Sequence, residues 1–203
     1  MCAALTAFHA YTGSDYNAAF NRKGKKRPLQ TLLKDKEAMK AFAELGKHEL
    51  VPVPTCRTLE RFTCSLYGMK SSSVNQTRYK LLIAKLPKRG LNCLKKLKTL
   101  DPASLPPCKS CLEQKLKRAN FISHVWRNAH QQSITPWQPE QHGWKLKDGR
   151  LSPVWFEGSQ LPDDLYYEPD GTVSDDNDTD DETDDELESE VEDDCLDEDD
   201  SDG

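Results

Sequence analysis

From Asp175 to the last residue, Gly203, the chain carries 19 Asp and Glu side chains and no Lys or Arg. A run with so little apolar area cannot offset the entropy of ordering itself, so the segment from Ser174 onward is expected to be disordered. Folding is left to the residues before it, enough for one domain or two small ones. Those residues are strongly basic. Residues 1–174 carry a net charge of +13, and residues 1–130 set 25 basic against 8 acidic side chains, or +17. The overall charge of −6 therefore describes neither part. The chain reads as a basic body joined to a polyanion.

Several classes fall away on the same grounds. Apolar stretches such as Leu81–Ala84 are far short of the ~20 residues that span a bilayer, so no membrane partner is expected. The N-terminus, MCAALTAFHAYTG, is apolar without an opening Lys or Arg, which makes a poor signal peptide and suits the start of a folded helix. The seven cysteines are odd in number and irregularly spaced among Lys-rich segments. That argues against a secreted disulfide scaffold and for a reducing compartment, nuclear or cytoplasmic.

Hydrophobic periodicity predicts a mainly α fold: a helical basic body, a small β-hairpin near its C-terminal end and a disordered acidic tail. Residues 3–12 form an apolar run that stops at Gly13-Ser14-Asp15-Tyr16. Leu29, Leu32 and Leu33 have helical spacing, and over 35–45 Ala38, Met39, Phe42 and Leu45 share a face that Gly46 terminates. Thr55 is expected to cap a helix running to Tyr67 and ended by Gly68, with Leu59, Phe62, Leu66 and Tyr67 as its apolar stripe. Val74, Arg78, Leu81, Leu82 and Lys85 set an amphipathic helix over 74–86. Residues 87–107 read as a loop with a basic helical turn at Leu94–Leu100, and Pro106-Pro107 introduce a long helix over about 108–130. Its apolar side holds Leu112, Leu116, Ala119, Ile122 and Trp126. Asp148-Gly149, between short alternating runs, is the strongest local hairpin signal in the chain. The organisation expected is 1–50, a helix-hairpin-helix region; 51–130, a basic helical region; 131–173, a Trp- and Pro-rich strap with the hairpin; and 174–203, the acidic tail.

The chemistry-bearing candidates begin at Asp15. A carboxylate projected from a tight Gly-Ser turn can hold Mg²⁺. Farther on come Lys23, Gly24, Lys25, Lys26 and Arg27, then the Leu run. A Gly-containing turn that opens a helix exposes backbone N–H groups able to grip a phosphate, and the Lys and Arg beside it attract a nucleic-acid backbone. Composition alone favours a plainer reading, in which Asp15 caps a helix and the basic run is a solvated surface or a nuclear-import signal.

The stretch Thr12-Gly13-Ser14-Asp15-Tyr16, followed by Gly24-Lys25-Lys26-Arg27 and Leu32-Leu33, resembles flap-endonuclease-type nucleases. There a Gly-Ser-Asp-Tyr or Gly-Cys-Asp-Tyr motif precedes a helix–hairpin–helix. The resemblance implies that Asp15 matches a metal ligand, Gly24 the second hairpin glycine, and Lys26 and Arg27 the basic pair behind the cleavage site. Arg22 stands where the first hairpin glycine would be, and Lys25 where the proline would be. A longer resemblance, over residues 5–165, is to a multicopy, mobile-element-like group of animal proteins. It rests on His9-Ala10 with Thr12-Gly13-Ser14-Asp15, Phe62 through Gly68, Val74-Asn75 with Arg78-Tyr79, Leu105-Pro106-Pro107, Arg118-Ala119-Asn120 with Trp126, and His142-Gly143-Trp144 with Trp155. It implies that the chain corresponds to the C-terminal part of larger members, which look as if they carry a nuclease-like domain upstream.

Two-metal phosphodiester hydrolysis needs several converging carboxylates. After Asp15, residues 1–60 offer Asp35, Glu37, Glu44, Glu49 and Glu60, and those from 35 to 49 are expected on or just beyond the exposed face of one helix. Asp15 is thus read as a vestigial metal ligand, and catalysis is not expected. Cys108 and Cys111 have zinc-knuckle spacing that Cys93, His124 and His130 could complete around Zn²⁺, against a plainer reading as helix-start cysteines. His9 is expected to be a packed core residue. Trp126, Trp137, Trp144 and Trp155 could stack bases, but the prolines around them favour core or strap. In the tail, Ser174, Thr179, Thr183 and Ser189 each precede acid, the pattern that casein-kinase-type kinases accept.

The function expected is non-catalytic binding of DNA or RNA backbone by a fragment of a mobile-element-derived, flap-endonuclease-like protein, with the acidic tail modulating binding. The alternative is an acidic-tailed interaction protein that engages histones or other basic partners.

Overall fold

The first helix, α1 (Cys2–Thr12), buries Ala4, Ala7, Phe8 and Tyr11, one face at i, i+3, i+4 and i+7. A computed structural model describes residues 2–86, 101–133 and 137–158. It adds α2 (Lys26–Lys34), α3 (Lys36–Glu44), α4 (Val53–Leu66), α5 (Val74–Lys85) and α6 (Lys109–Arg127), followed by a hairpin of β1 (Trp144–Lys147) and β2 (Arg150–Pro153). The mainly helical class with a small C-terminal hairpin is therefore observed. The 87–100 segment with its basic turn, and the acidic tail with its phosphorylatable residues, lie outside the described residues.

Phe42 of α3 anchors the core. Its ring meets Phe8 at 5.7 Å, Tyr11 at 5.5 Å and Phe62 of α4 at 5.2 Å, all edge-on as aromatic quadrupoles prefer. Leu32, Leu45 and Leu59 close around this cluster, and α6 lays Leu112, Leu116, Ala119 and Ile122 across α1. The buried Tyr11 hydroxyl lies 2.6 Å from Thr63 Oγ1.

Polar side chains stitch the helices at their ends. Asp35 caps α3 by accepting from the Ala38 N–H at 2.9 Å, and Ser73 caps α5 through the Gln76 N–H at 3.4 Å. Arg127 ends α6 by donating to the carbonyls of Leu45, Ala43 and Ala3, which ties α3 and α1 together. Gly46 has φ +81° where its Cα abuts α6, and Asn120 accepts from its N–H at 2.7 Å. Glu60 is buried, yet its carboxylate accepts from the Val74 N–H and from Lys109 Nζ.

The hairpin pairs Trp144 with Pro153 and Lys147 with Arg150. Asp148 and Gly149 both have positive φ, +51° and +72°, the left-handed pair that a two-residue hairpin turn requires. Among the described residues no helix is long and apolar enough to cross a membrane.

Three expectations need correcting. Thr55 does not cap α4. It is buried inside the helix, which starts at Val53 because Pro54 fits the first turn, where its missing N–H costs nothing. His9 is not a core residue but is exposed on α1, stacked on Trp126 at 5.6 Å; the buried histidine is His142. Asp35 is not on an open face: it is half-buried and paired with Arg61 at 3.0 Å.

Candidate nucleic-acid interface

Residues 20–26 turn the chain from the end of α1 into α2. Phe20 is buried as an anchor, and its carbonyl accepts from the Lys23 N–H at 3.2 Å. Arg22 and Gly24 both lie in the left-handed region, at φ +53° and +51°, so the turn is tight even though Arg22 stands where a glycine would fit more easily. Its geometry separates the basic run into two groups with different work.

Lys25 points inward. Its ammonium donates to the Gly13 carbonyl at 2.5 Å and the His9 carbonyl at 3.3 Å, and lies 2.7 Å from His9 Nδ1. These are the open carbonyls at the end of α1, where a cation also meets the negative end of the helix dipole. Burial lowers the Lys25 pKa, and burial with the Lys25 charge lowers that of His9 against a weaker opposing pull from Asp15.

Lys23, Lys26 and Arg27 remain on the outside. Lys23 is half-buried over the Tyr67 ring, 4.3 Å from its centroid. Its pKa is lowered by burial and then by the like charges of Arg27 and Lys85, so these cations share one face. Lys23, Arg27 and Lys34 line a groove of about 510 Å³ between α2 and the end of α4, with Gln30, Thr31 and Ser65 as its polar neighbours. Among the described residues no acidic side chain lines it. Some other surface cations are paired: Arg61 with Asp35 and Glu37, Lys109 with Glu60, and Lys47 with Glu44. Among the described residues, none of the basic side chains from Arg22 to Lys34 forms an ion pair. Lys25, at the N-cap of α2, makes no side-chain cap, so the first N–H groups of the helix lie open beside these cations.

Asp15 sits exposed in the turn where Ser14 and Asn17 exchange backbone hydrogen bonds at 2.9 and 3.2 Å. Among the described residues no three His, Cys, Asp or Glu side chains gather as a metal site. Cys108 precedes α6 and Cys111 lies in its first turn. Burial raises the Cys111 pKa to about 11, with Cys108 adding to the rise and Arg78 and Arg118 opposing it. His124 lies 13 residues farther along α6, about 20 Å at 1.5 Å per residue, so neither it nor the more distant His130 completes a tetrahedral site with the pair. Cys93 lies outside the described residues.

The tryptophans divide. Trp137 stacks on His124 at 3.8 Å and His142 at 5.1 Å, and Trp126 covers His9, so both act as packing. Trp155 is exposed and lies over the Arg118 guanidinium at 4.9 Å. The sequence reading missed Lys115 and Arg118, two cations buried on α6. The signal was their position: they flank the Leu112–Leu116–Ala119 stripe and so turn partly into the core.

The chain finds no match among family models, curated proteins or solved structures.

Proposed function

We propose that the protein binds the sugar–phosphate backbone of DNA or RNA through the face formed by α2, the turn before it and the end of α4, without cleaving it. The observation that carries this reading is the groove lined by Lys23, Arg27 and Lys34, with no acid in it and no ion pair on its cations among the described residues. Unpaired cations on a rigid helix turn are what counterion release from a nucleic acid requires, and open N–H groups at a helix start add donors for phosphate oxygens. The reading agrees with the flap-endonuclease-like motif only in part. Lys23, Gly24, Lys26 and Arg27 keep the backbone-gripping role, while Lys25 holds the end of α1. Asp15 keeps no metal role, because Mg²⁺ chemistry on a phosphodiester needs several carboxylates together. Cys108 and Cys111 sit at the start of α6, and among the described residues nothing completes a zinc site with them. The tail, with its 19 acids, competes with nucleic acid for the same cations.

The test is equilibrium binding of the full chain to duplex and single-stranded probes, with the wild type compared to the Lys23→Glu/Arg27→Glu double variant. A fall in affinity of tenfold or more, alike for all probe sequences, is expected. Equal binding by the two proteins overturns the reading, as does product formation on the probes with Mg²⁺ present.

A further inference from the structure

A second cationic site lies on the other side of Tyr67, in a cavity of about 280 Å³. Its walls come from residues 17–21, α5, the Pro102–Pro107 segment, α6 and Trp155. Among the described residues three cations line it, Arg78, Lys115 and Arg118, and no acidic side chain does. Lys115 is 7 % exposed and Arg118 1 %, so two of the three positive charges are withdrawn from water without a carboxylate to balance them.

Their hydrogen bonds leave donors over. Lys115 Nζ donates to the Ala18 carbonyl and lies over the Phe20 ring at 4.5 Å. An ammonium has three donors. Arg118 donates through Nε to Asn17 Oδ1 at 3.4 Å and through Nη1 to the carbonyls of Gly143 and Val154. Among the described residues its Nη2 has no acceptor. Arg78 donates through Nη1 to the Pro106 carbonyl, which leaves its remaining donors to the cavity. Buried charge of one sign is costly unless something of the other sign neutralises it. Apart from Asn17 and Asn21, the rest of the lining is mostly flat or apolar, with Tyr67, Trp155, Leu105, Pro106 and Pro107.

We propose that this cavity binds a phosphate monoester carried on a small flat body, of the nucleoside monophosphate class. Three converging cations match a dianion better than a single carboxylate, and the Arg78 guanidinium, whose Nε and Nη2 are left over, can meet two phosphate oxygens as a pair. Tyr67 and Trp155 offer faces for a base. The volume lies at the lower edge of ligand pockets, which suits a mononucleotide and excludes a dinucleotide. The same chemistry has two sources, a free nucleotide or the phosphorylated end of a strand. The site does not depend on the backbone reading, since a mononucleotide needs no groove.

Binding has a pH signature. Burial, then the charges of Arg118 and Lys25, lowers the Lys115 pKa to about 7. A bound dianion favours the protonated amine, so affinity falls as pH rises from 7 to 8.5, where the empty site has lost the proton. Of the groups around it, Arg118 stays cationic through that window because a guanidinium does not titrate there, and Tyr67 and Cys111, pushed up to about 12 and about 11, stay neutral.

The experiment is calorimetric titration of the full chain with adenosine monophosphate and with inorganic phosphate at pH 7 and 8.5. Arg78→Gln and Lys115→Met are measured beside the wild type, with melting curves to confirm folding. Saturable binding of the nucleotide is expected, weaker at pH 8.5 and reduced about tenfold or more by either substitution, with the pH effect gone in Lys115→Met. A preference of the wild type for 5′-phosphorylated over 5′-hydroxyl oligonucleotides, beyond its mononucleotide affinity, assigns the strand end as the source. No binding of the nucleotide at millimolar concentration, or binding indifferent to Arg78→Gln, overturns the proposal. Should Lys115→Met not fold, Arg78→Gln and the wild-type pH dependence still decide. Failure here leaves duplex binding at the groove untouched, so the two readings fail separately.

Discussion

Lys115 shows what a single buried charge does to stability. Its folded pKa, near 7, lies below the ~10.4 of an exposed lysine. Between those values the unfolded chain holds a proton that the folded one lacks, so the Lys115 contribution to stability rises with pH above 7. Burial raises the pKa values of Cys56, Cys64 and Cys111. Their unfolded thiols release protons from about pH 8.5, which removes stability in the opposite direction. The clean window is therefore pH 7 to 8.5. There the melting temperature of the wild type should gain on that of Lys115→Met as pH rises; an unchanged difference would show that the amine is charged in the fold. Tyr11 offers a contrast. Burial holds its hydroxyl protonated, and the Thr63 hydroxyl 2.6 Å away keeps it satisfied. Tyr11→Phe should cost about 1 kcal/mol in denaturant unfolding, the net worth of one buried hydrogen bond.

At the scale of elements, glycine positions separate backbone strain from packing. Gly24 and Gly46 both have positive φ, but a Cβ at Gly24 would meet nothing within 4 Å, whereas at Gly46 it would come within 2.6 Å of the α6 backbone. Gly24→Ala should cost roughly 1 kcal/mol, from left-handed strain alone, and Gly46→Ala roughly 3 kcal/mol, because α3 and α6 must move apart. Thermal unfolding of the two variants checks the order. Apolar spacing on one face made α3, α4, α5 and α6 legible in the sequence and an apolar run made α1 so, together with the hairpin, whose Asp-Gly pair permits one turn geometry. What periodicity could not show was direction. His9 and His142 look alike in sequence, yet one lies on the surface and the other is buried against Phe121 and Trp137. Lys25 and Lys26 are neighbours, yet the left-handed Arg22 and Gly24 send one to the end of α1 and the other to solvent. The basic face of the candidate site was thus legible as composition, while its division into internal cap and open groove was a matter of tertiary geometry.

Across the whole molecule, charge is the organising quantity. A body of +13 with unpaired cations on α2 stands against a tail of 19 acids. Removing residues 174–203 should tighten DNA binding at low salt, with the gain fading above the ionic strength at which the Debye length falls to ~8 Å. Weaker binding without the tail would reverse its assigned role. The most direct test of the central claim is the salt dependence of duplex DNA binding by the full chain. With about four phosphate contacts, log K should fall linearly with log salt at a slope of about −3.6, roughly a hundredfold between 50 and 200 mM. A slope near zero, or no binding at low salt, would contradict the claim that α2 presents a backbone-binding face.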